Sequence, residues 1–219
     1  MVTAQRPPPT VLLTGFDAFG GERLNPSWLA VQALHGHQVT GHRVIAARLP
    51  TVFDESLHVL RGLLKQYRPA LVICVGQAGG RSALSLERVA INVNDARIAD
   101  NAAAQPVDTP VIADGPAAYF TTLPIKAMLA ALRQAGVAVE VSQTAGTFVC
   151  NHVFYGLMHL LATQRGCKRT RGGFIHVPYL PEQGAPAMTL DDMVHGLRLA
   201  LRCALTTQRD IVQGAGAVS

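Results

Sequence analysis

The sequence predicts an α/β fold, a three-layer α/β/α sandwich in which helices cover both faces of a largely parallel sheet. Two features of the sequence carry this prediction. Short apolar runs of strand length alternate with longer stretches whose apolar residues recur at helical spacing. One of the short runs, residues 70–75, is apolar throughout, which is typical of a parallel strand buried on both faces.

The elements of the first half follow from local signals. Asn25 followed by Pro26 predicts the start of a helix that runs to Leu34, because asparagine caps helix N-termini and proline fits the first helical position. The other elements of this half are strands at 11–15, 44–47 and 70–75 and a helix with an apolar stripe at 52–67.

The second half continues the alternation after one irregular segment. Residues 82–111 are rich in Asn, Asp and Ala around an apolar run at 89–93, and they predict a strand or hairpin with extended loops at the active edge of the sheet. Gly136 ends one helix, and Thr189 with Asp192 opens another as a near capping box. The predicted elements are a helix at 123–135, a strand at 137–142, a helix from Cys150, a strand at 174–177 and a helix from 189 to about Gln208.

Length and composition favour one folded domain. The chain has 219 residues, of which 49% are hydrophobic and 15% charged, so it can bury a large core and disorder is excluded. We predict a single domain over 1–219, with short flexible tails at about 1–9 and 210–219. No apolar run is long enough to span a membrane and no signal peptide is recognisable, so no membrane partner is expected and the cytoplasm is the expected compartment.

The charge of the chain gives no indication of a nucleic-acid partner. The net charge is a mild +5, and the tightest basic cluster consists of Lys168, Arg169 and Arg171. No aromatic residues are interleaved with this cluster, which favours a solvated loop over a nucleic-acid patch.

Cys150 is the candidate nucleophile among the four cysteines, whose spacings match neither a zinc site nor a C-x-x-C redox pair. It lies where a predicted strand gives way to a predicted helix. Free N–H groups and the positive end of the macrodipole favour thiolate there, and thiolate is the nucleophile. Cys74 and Cys203 fall in apolar elements and are expected to be inert, and Cys167 has no helix start to activate it.

A cysteine nucleophile needs a base, and the base needs an orienting group. His176, on the short apolar strand at 174–177, is the best-placed candidate base, although a lone histidine in such a strand is more often structural. Glu87 is an acid among apolar residues beside Arg88, and a surface ion pair is the alternative interpretation of it.

Two glycine-rich loops, 15–21 and 76–81, follow predicted strands. Ligands of open α/β sheets bind beyond the carboxyl ends of the strands, so both loops are expected near a site. Neither matches a nucleotide-binding motif, and the glycines are therefore expected to bring backbone close to a small ligand.

Longer motifs are spread over nearly the whole chain. They are TGFDAFGGE at 14–22, NPSW at 25–28, GQAGGR at 76–81, LERVAIN at 86–92, DARIADN at 95–101, DGPAAY at 114–119, LPIK at 123–126, AGTFVCN at 145–151 and FIHVP at 174–178. In these motifs the chain resembles pyroglutamyl peptidase type I, also called pyrrolidone-carboxylate peptidase. Ala18 and Ala99 stand where the bacterial enzymes of this family usually carry proline, and both are loop positions.

The resemblance implies a cysteine exopeptidase, an omega peptidase that hydrolyses the amide bond after an N-terminal pyroglutamyl residue and releases 5-oxoproline. By motif, Cys150 falls on the nucleophile, His176 on the general base and Glu87 on its orienting acid. Asp100 falls on a second acid near the site, and Arg97 is a candidate for polarising or positioning the substrate carbonyl. The residues that fall on the pocket for the pyroglutamyl ring are Phe16, Phe19, Gln77, Ile98, Phe148 and Val149.

The resemblance also implies the setting of this chemistry. The family has a phosphorylase/hydrolase-like α/β/α sandwich with a mixed, largely parallel sheet, needs no metal or cofactor, and is typically a cytosolic homotetramer. Its partners are N-terminally pyroglutamylated peptides. Pyroglutamate is a small lactam without a free amine, so a compact apolar pocket is expected, with Phe16 and Phe19 on either side of the flat ring.

Two other functions remain open on the residues alone. A non-catalytic small-molecule binding protein of the same fold would keep the aromatic loop but would not need Cys150, His176 and Glu87 together. A nucleoside phosphorylase-like enzyme would need a phosphate site rich in Arg and Ser, which the loops do not clearly offer.

Overall fold

Residues 8–216 are described by the structure, a computed structural model, and they form nine strands and five α-helices. The strands are β1 (Thr10–Phe16), β2 (Gln38–Val39), β3 (His42–Leu49), β4 (Leu71–Gln77), β5 (Leu84–Glu87), β6 (Val89–Ile91), β7 (Ala118–Phe120), β8 (Val139–Ser142) and β9 (Arg171–Val177). The helices are α1 (Pro26–Ala33), α2 (Phe53–Tyr67), α3 (Ile125–Gln134), α4 (Val149–Thr163) and α5 (Leu190–Thr206), with a 3-10 turn at Arg165–Cys167.

Seven strands form the central sheet in the order β2-β3-β1-β4-β9-β5-β8, while β6 and β7 pair separately. The pairs β1/β3, β1/β4, β4/β9 and β5/β8 are parallel, and β2/β3 and β5/β9 are antiparallel. The predicted fold class, a mixed and largely parallel sheet between helices, is confirmed.

The two faces of the sheet bury separate apolar clusters, because successive side chains of a strand point to opposite faces. In β4, Leu71, Ile73 and Val75 pack with the helices α1, α3 and α5. Val72 and Cys74 pack on the other face with α2 and α4. We call this second face the α4 face, and it is the one that carries the candidate site.

Two predicted helix starts have the expected caps. Asn25 Oδ1 accepts the N–H of Ser27 at 3.0 Å, with Pro26 at the first helical position of α1. Thr189 Oγ1 accepts the N–H of Asp192 at 3.1 Å and opens α5. Both caps satisfy backbone donors that a helix N-terminus leaves free.

The irregular segment at 82–111 differs from the prediction. Its first part, β5, is a strand of the central sheet, and only β6 lies in the two-stranded sheet with β7. β5 has four residues and obtains its partners from β8 and β9, which lie more than 50 positions later in the chain. A strand of four residues is too short to show a clear periodicity in the sequence. Its stability comes from pairing with distant strands, which the local sequence does not reveal.

The ends of the chain bear on the predicted domain limits. Residues 1–7 and 217–219 lie outside the described residues. Within the predicted C-terminal tail, the carbonyls of Gln213 and Ala215 accept hydrogen bonds from Lys126 Nζ and Arg88 Nη2. The single domain with flexible tails stays a prediction. None of the helices described between residues 8 and 216 has the length and apolar character needed to cross a membrane.

Candidate active site

Cys150 is the second residue of α4, directly beyond the loop that follows β8. Gly146 turns that loop with a φ of 76°, a conformation that glycine adopts without a Cβ penalty. Phe148, the N-cap residue, makes no side-chain capping hydrogen bond. Among the described residues, the N–H groups of Val149, Cys150 and Asn151 have no hydrogen-bond acceptor. The start of α4 therefore offers free donors beside the thiol.

Asn151 fixes the position of this helix start. Its Oδ1 accepts the N–H of Ile91 at 3.0 Å, and its Nδ2 donates to the carbonyls of Ile91 at 2.9 Å and Val93 at 3.0 Å. The side chain thus replaces a strand partner for β6. The first turn of α4 is held by three hydrogen bonds to a separate segment of the chain.

The thiol of Cys150 lies on β4 at Gly76. A Cβ built at Gly76 would lie 2.8 Å from Cys150 Sγ, so the sulfur occupies the space that a side chain would take. Gly76 is the register partner of His176 in β9, and partners in adjacent strands point to the same face about 4.8 Å apart. Cys150 and His176 therefore meet on the α4 face.

His176 and Glu87 form a diagonal cross-strand pair. His176 is opposite Ser85 in the antiparallel β5/β9 pair, and Glu87, two residues further along β5, shares the face of Ser85. His176 Nδ1 lies 2.8 Å from Glu87 Oε1. A carboxylate only accepts, so Nδ1 carries the proton and the neutral ring keeps Nε2 as its basic nitrogen.

The Glu87 side chain has no exposed surface, which overturns the alternative of a surface ion pair. The cation that contacts it is Arg81 rather than Arg88, because Arg81 Nη1 donates to the same Oε1 at 2.7 Å. Arg81 Nη2 donates to the carbonyl of Thr144 at 3.0 Å, in the loop that leads to Cys150. Sequence reasoning did not select Arg81, although it ends the glycine-rich loop after β4.

The environment of the thiol differs from the sequence-based expectation. Burial raises the pKa of Cys150 to about 12, the Glu87 carboxylate acts in the same direction, and the Arg81 guanidinium opposes both. The helix start was expected to favour thiolate, and loss of water around the sulfur acts in the opposite direction. A thiol in this environment would need a base to act as a nucleophile.

A cavity of about 280 Å³ lies beside Thr147 and Phe148, the residues three and two positions before Cys150 in the chain. Of the residues selected from the sequence, Phe19, Arg97, Ile98 and Phe148 line it. The rings of Phe19 and Phe148 are 5.9 Å apart between centroids, and Phe53 packs edge-on against Phe148 at 5.4 Å. The cavity therefore has an aromatic wall that residues from three separate loops or helices build.

Asp95 and Thr147 also line this cavity, and sequence reasoning did not select them. Thr147 Oγ1 donates to the Asp95 carbonyl at 2.7 Å, and the Asp95 N–H donates to the Thr147 carbonyl at 3.0 Å. These two bonds connect the loop before Cys150 to the loop that carries Ile98. Neither residue has a local sequence signal, because both act through pairing of distant backbone.

Three residues that were expected in the pocket do not line this cavity. Phe16 is 2% exposed and packs on Phe174, because alternation along β1 directs it into the core. The aromatic pair at the cavity is thus Phe19 with Phe148, and not Phe16 with Phe19. Val149 is fully buried and faces the core, so only its backbone N–H is available.

Gln77 is on the opposite side of its strand from the thiol. Since the Cβ position of Gly76 faces Cys150, alternation directs the next side chain to the other face. There, Gln77 Oε1 accepts from Gln183 Nε2 at 3.2 Å. What Gln77 can offer to a ligand on the α4 face is therefore its backbone.

Asp100 is a buried capping residue. Its Oδ2 accepts the N–H of Phe53 at 2.9 Å, and its Oδ1 accepts those of Ala102 at 2.9 Å and Ala104 at 2.8 Å. The carboxylate thereby caps α2, whose own N-cap residue offers no side-chain acceptor. Asp100 thus holds the loop that carries Arg97 and Ile98, and its part as a second acid near the site stays a prediction.

No group of three or more His, Cys, Asp or Glu side chains suited to a metal ion occurs in the part of the chain that the structure describes. The free groups around the thiol are instead backbone N–H donors, one histidine and one paired carboxylate. This arrangement can deprotonate a nucleophile and stabilise an oxyanion.

Comparisons with known proteins agree with this chemistry. The family model described as pyroglutamyl peptidase matches residues 9–207. A pyrrolidone-carboxylate peptidase of Cupriavidus taiwanensis is 59% identical over 213 residues, which cover 95% of this chain and 98% of the relative. The corresponding protein of Bacillus cytotoxicus is 53% identical over 212 residues, 94% of this chain and 98% of the relative.

Solved structures show the same similarity. The pyroglutamyl peptidase I of Bacillus amyloliquefaciens superposes with a TM-score of 0.92 at 48% identity, covering 94% of this chain and all of that one. A mutant pyrrolidone carboxyl peptidase of Pyrococcus furiosus has a TM-score of 0.86 at 38% identity, covering 90% of this chain and 98% of that one.

Proposed function

Because the chain belongs to the pyroglutamyl peptidase family, we propose that Cys150, His176 and Glu87 carry out the reaction of that family in this protein. The chain is a cysteine exopeptidase that hydrolyses the amide bond after an N-terminal pyroglutamyl residue and releases 5-oxoproline. The single observation that carries the proposed triad is the His176–Glu87 pair at 2.8 Å on the face where Cys150 Sγ packs against Gly76.

The first half of the reaction forms a thioester. His176 Nε2 takes the thiol proton as Sγ attacks the scissile carbonyl carbon. This transfer is needed because the raised pKa of Cys150 keeps the thiol protonated in the resting enzyme. The negative charge of the tetrahedral intermediate develops beside the free N–H groups at the start of α4, and each such donor is worth about 10²–10³-fold in kcat. The intermediate collapses when the imidazolium gives its proton to the leaving amine, and the peptide departs.

The second half regenerates the enzyme. His176 Nε2 removes a proton from a water molecule, whose oxygen attacks the thioester carbonyl. Collapse expels Sγ, which recovers the proton, and pyroglutamate leaves as the free acid. Glu87 holds the Nδ1–H of the ring throughout and stabilises the imidazolium in each half.

Selectivity is proposed to come from the cavity beside Phe148. Phe19, Ile98 and Phe148 provide apolar contacts for the edges and face of the lactam ring. Backbone groups of Gln77 and Val149 supply hydrogen bonds to the lactam amide, since their side chains face away. Arg97, exposed at the rim, positions the substrate carbonyl. The substrate class is peptides with an N-terminal pyroglutamyl residue.

The assay compares pyroglutamyl-coumarin amide with glutaminyl-coumarin amide, which differs in having an open side chain and a free amine. Wild type cleaves the first and not the second. Cys150→Ala lowers kcat by about 10⁴-fold or more, whereas the matched Cys203→Ala, on α5, retains wild-type turnover. Undiminished turnover by Cys150→Ala would contradict the triad, and a clean wild type that cleaves neither substrate would contradict the function.

We further propose, from the family resemblance, that the enzyme is a homotetramer in the cytoplasm. Light scattering would then give about four times the 23.3 kDa chain mass. The binding protein and the phosphorylase-like enzyme that the sequence left open are not favoured, because the family match extends over residues 9–207.

A further inference from the structure

Arg81 joins two parts of the proposed triad. Its Nη1 donates to Glu87 Oε1 at 2.7 Å, and the same oxygen receives His176 Nδ1 at 2.8 Å. Its Nη2 donates to the carbonyl of Thr144 at 3.0 Å, six residues before Cys150. One planar guanidinium therefore connects the acid to the loop that presents the nucleophile.

The electrostatics of Glu87 make this contact important. The carboxylate has no exposed surface, and its Oε2 has no hydrogen-bond partner among the described residues. A buried charge is costly unless it is paired and hydrogen-bonded, and Arg81 supplies the permanent positive charge for it. Without Arg81, the carboxylate would be free to turn its empty oxygen toward His176 or to move toward water.

The loop that carries Arg81 has a fixed path. Any side chain at Gly79 would overlap the ring of Tyr179, which follows β9, so the two segments are in close contact. Arg81 itself is 25% exposed and reaches inward to the fully buried Glu87. The guanidinium fork is rigid, so a fixed loop gives it a fixed direction.

We propose that Arg81 is a positioning residue of the triad, whose two-pronged contact with Glu87 and Thr144 aligns the carboxylate with His176 and couples it to the Cys150 loop. This inference rests on the proposed function, because it assumes that Glu87 orients the base. It also explains why one oxygen of Glu87 receives both hydrogen bonds.

The kinetic test uses Arg81→Met, which keeps much of the side-chain length without the charge, and Arg81→Lys, which keeps the charge without the fork. With pyroglutamyl-coumarin amide, Arg81→Met lowers kcat by at least about 10-fold and changes KM by less than about 3-fold. Arg81→Lys recovers part of the loss. Because both residues act through one carboxylate, adding Arg81→Met to Glu87→Gln lowers kcat by no more than about 2-fold further.

A second measurement separates positioning from mere structural support. The groups that act on the Cys150 thiol are Glu87, Arg81 and Cys74, with His176 beside it on β9. Arg81 lowers the pKa of the thiol, so its removal lowers the thiolate fraction. Iodoacetamide labelling of Cys150 at neutral pH, followed by mass spectrometry, is slower in Arg81→Met than in wild type.

The matched control is Arg88→Met, which removes a guanidinium from the residue after Glu87. The Arg88 guanidinium contacts the Ala215 carbonyl rather than a carboxylate, so kcat and the labelling rate stay near wild type. Wild-type kcat and labelling in Arg81→Met would overturn the proposal. A decrease in kcat from Arg81→Met that is as large in the Glu87→Gln variant as in wild type would also overturn it. If wild type is active and Cys150→Ala is not, such a result concerns Arg81 alone and leaves the proposed function intact.

Discussion

Gly76→Ala tests the packing of Cys150, the proposed nucleophile, against β4. The added Cβ would lie 2.8 Å from Cys150 Sγ and 2.8 Å from Phe174 Cζ. Nonbonded carbon contacts are optimal near 3.5–4.0 Å, so the sulfur or the ring must retreat by about 0.7 Å or more. Gly76 is buried in the central strand next to β9, and the backbone cannot yield without disturbing His176.

The expected size of the effect follows from this displacement. Overpacking of a dense core costs about 1–3 kcal/mol, so the free energy of unfolding falls by that amount. Misplacement of a reacting atom by about 1 Å costs about 10²-fold in rate. We therefore expect Gly76→Ala to remain folded while its kcat for pyroglutamyl-coumarin amide falls by roughly 10²-fold. KM changes little, because the cavity at Phe148 is lined by other residues.

The matched control is Gly62→Ala in the interior of α2. No atom lies within 4 Å of its added Cβ, and alanine in a helix is about 0.5–1 kcal/mol more favourable than glycine. Gly62→Ala is thus expected to be slightly stabilised with unchanged kcat. Urea unfolding and steady-state kinetics on both variants supply the readout. A Gly76→Ala enzyme with wild-type kcat would refute the inference that Sγ occupies the vacant side-chain position of β4.

Two further predictions concern residues around the site. Asp100→Ala removes the acceptor of three backbone N–H groups, including that of Phe53. We expect the free energy of unfolding to fall by about 1–2 kcal/mol. We also expect KM to rise, because the loop that carries Ile98 loosens. Thermal unfolding and substrate titration check this, and an unchanged KM would speak against a role for that loop. Burial lowers the pKa of His152 to about 4, so the folded protein keeps this ring neutral. Between about pH 6.5 and 4, His152 therefore takes up a proton in the unfolded chain but not in the folded protein. The free energy of unfolding should fall by about 3 kcal/mol over that window in wild type and clearly less in His152→Gln, and equal pH dependence of both proteins would contradict the assignment.

Local sequence was sufficient for most of the fold. The helices at α1 and α5 were predictable because Asn25 and Thr189 act within their own first turn. The strand β5 was not, because four residues obtain their order from β8 and β9, far along the chain. The burial of Glu87 could not be inferred either, since its neighbours in sequence do not reveal that a sheet will close around it.

The site shows the same division between local and distant causes. The helix start at Cys150 was visible in sequence, but the raised pKa of its thiol depends on burial and on Glu87, which only the fold brings near. The role of Phe16 could have been corrected from sequence. Extending the alternation of β1 by one residue makes it a strand residue on the α4 face with Leu12, rather than a loop residue. Arg81 offered no such signal, because its partners are the acid and the carbonyl of Thr144.

The order of strands determines when the site can first exist during synthesis. β9 is the last strand of the chain to be made, yet it lies between β4 and β5 at the centre of the sheet. Until residues 171–177 emerge, β4 and β5 present unpaired edges, which are the surfaces most prone to aggregate. Glu87 and Cys150 are by then already made, but His176, the proposed base, is not. Closure of the sheet and assembly of the proposed triad are therefore one event, and the nascent chain holds the acid and the thiol without the histidine between them until its fold is nearly complete.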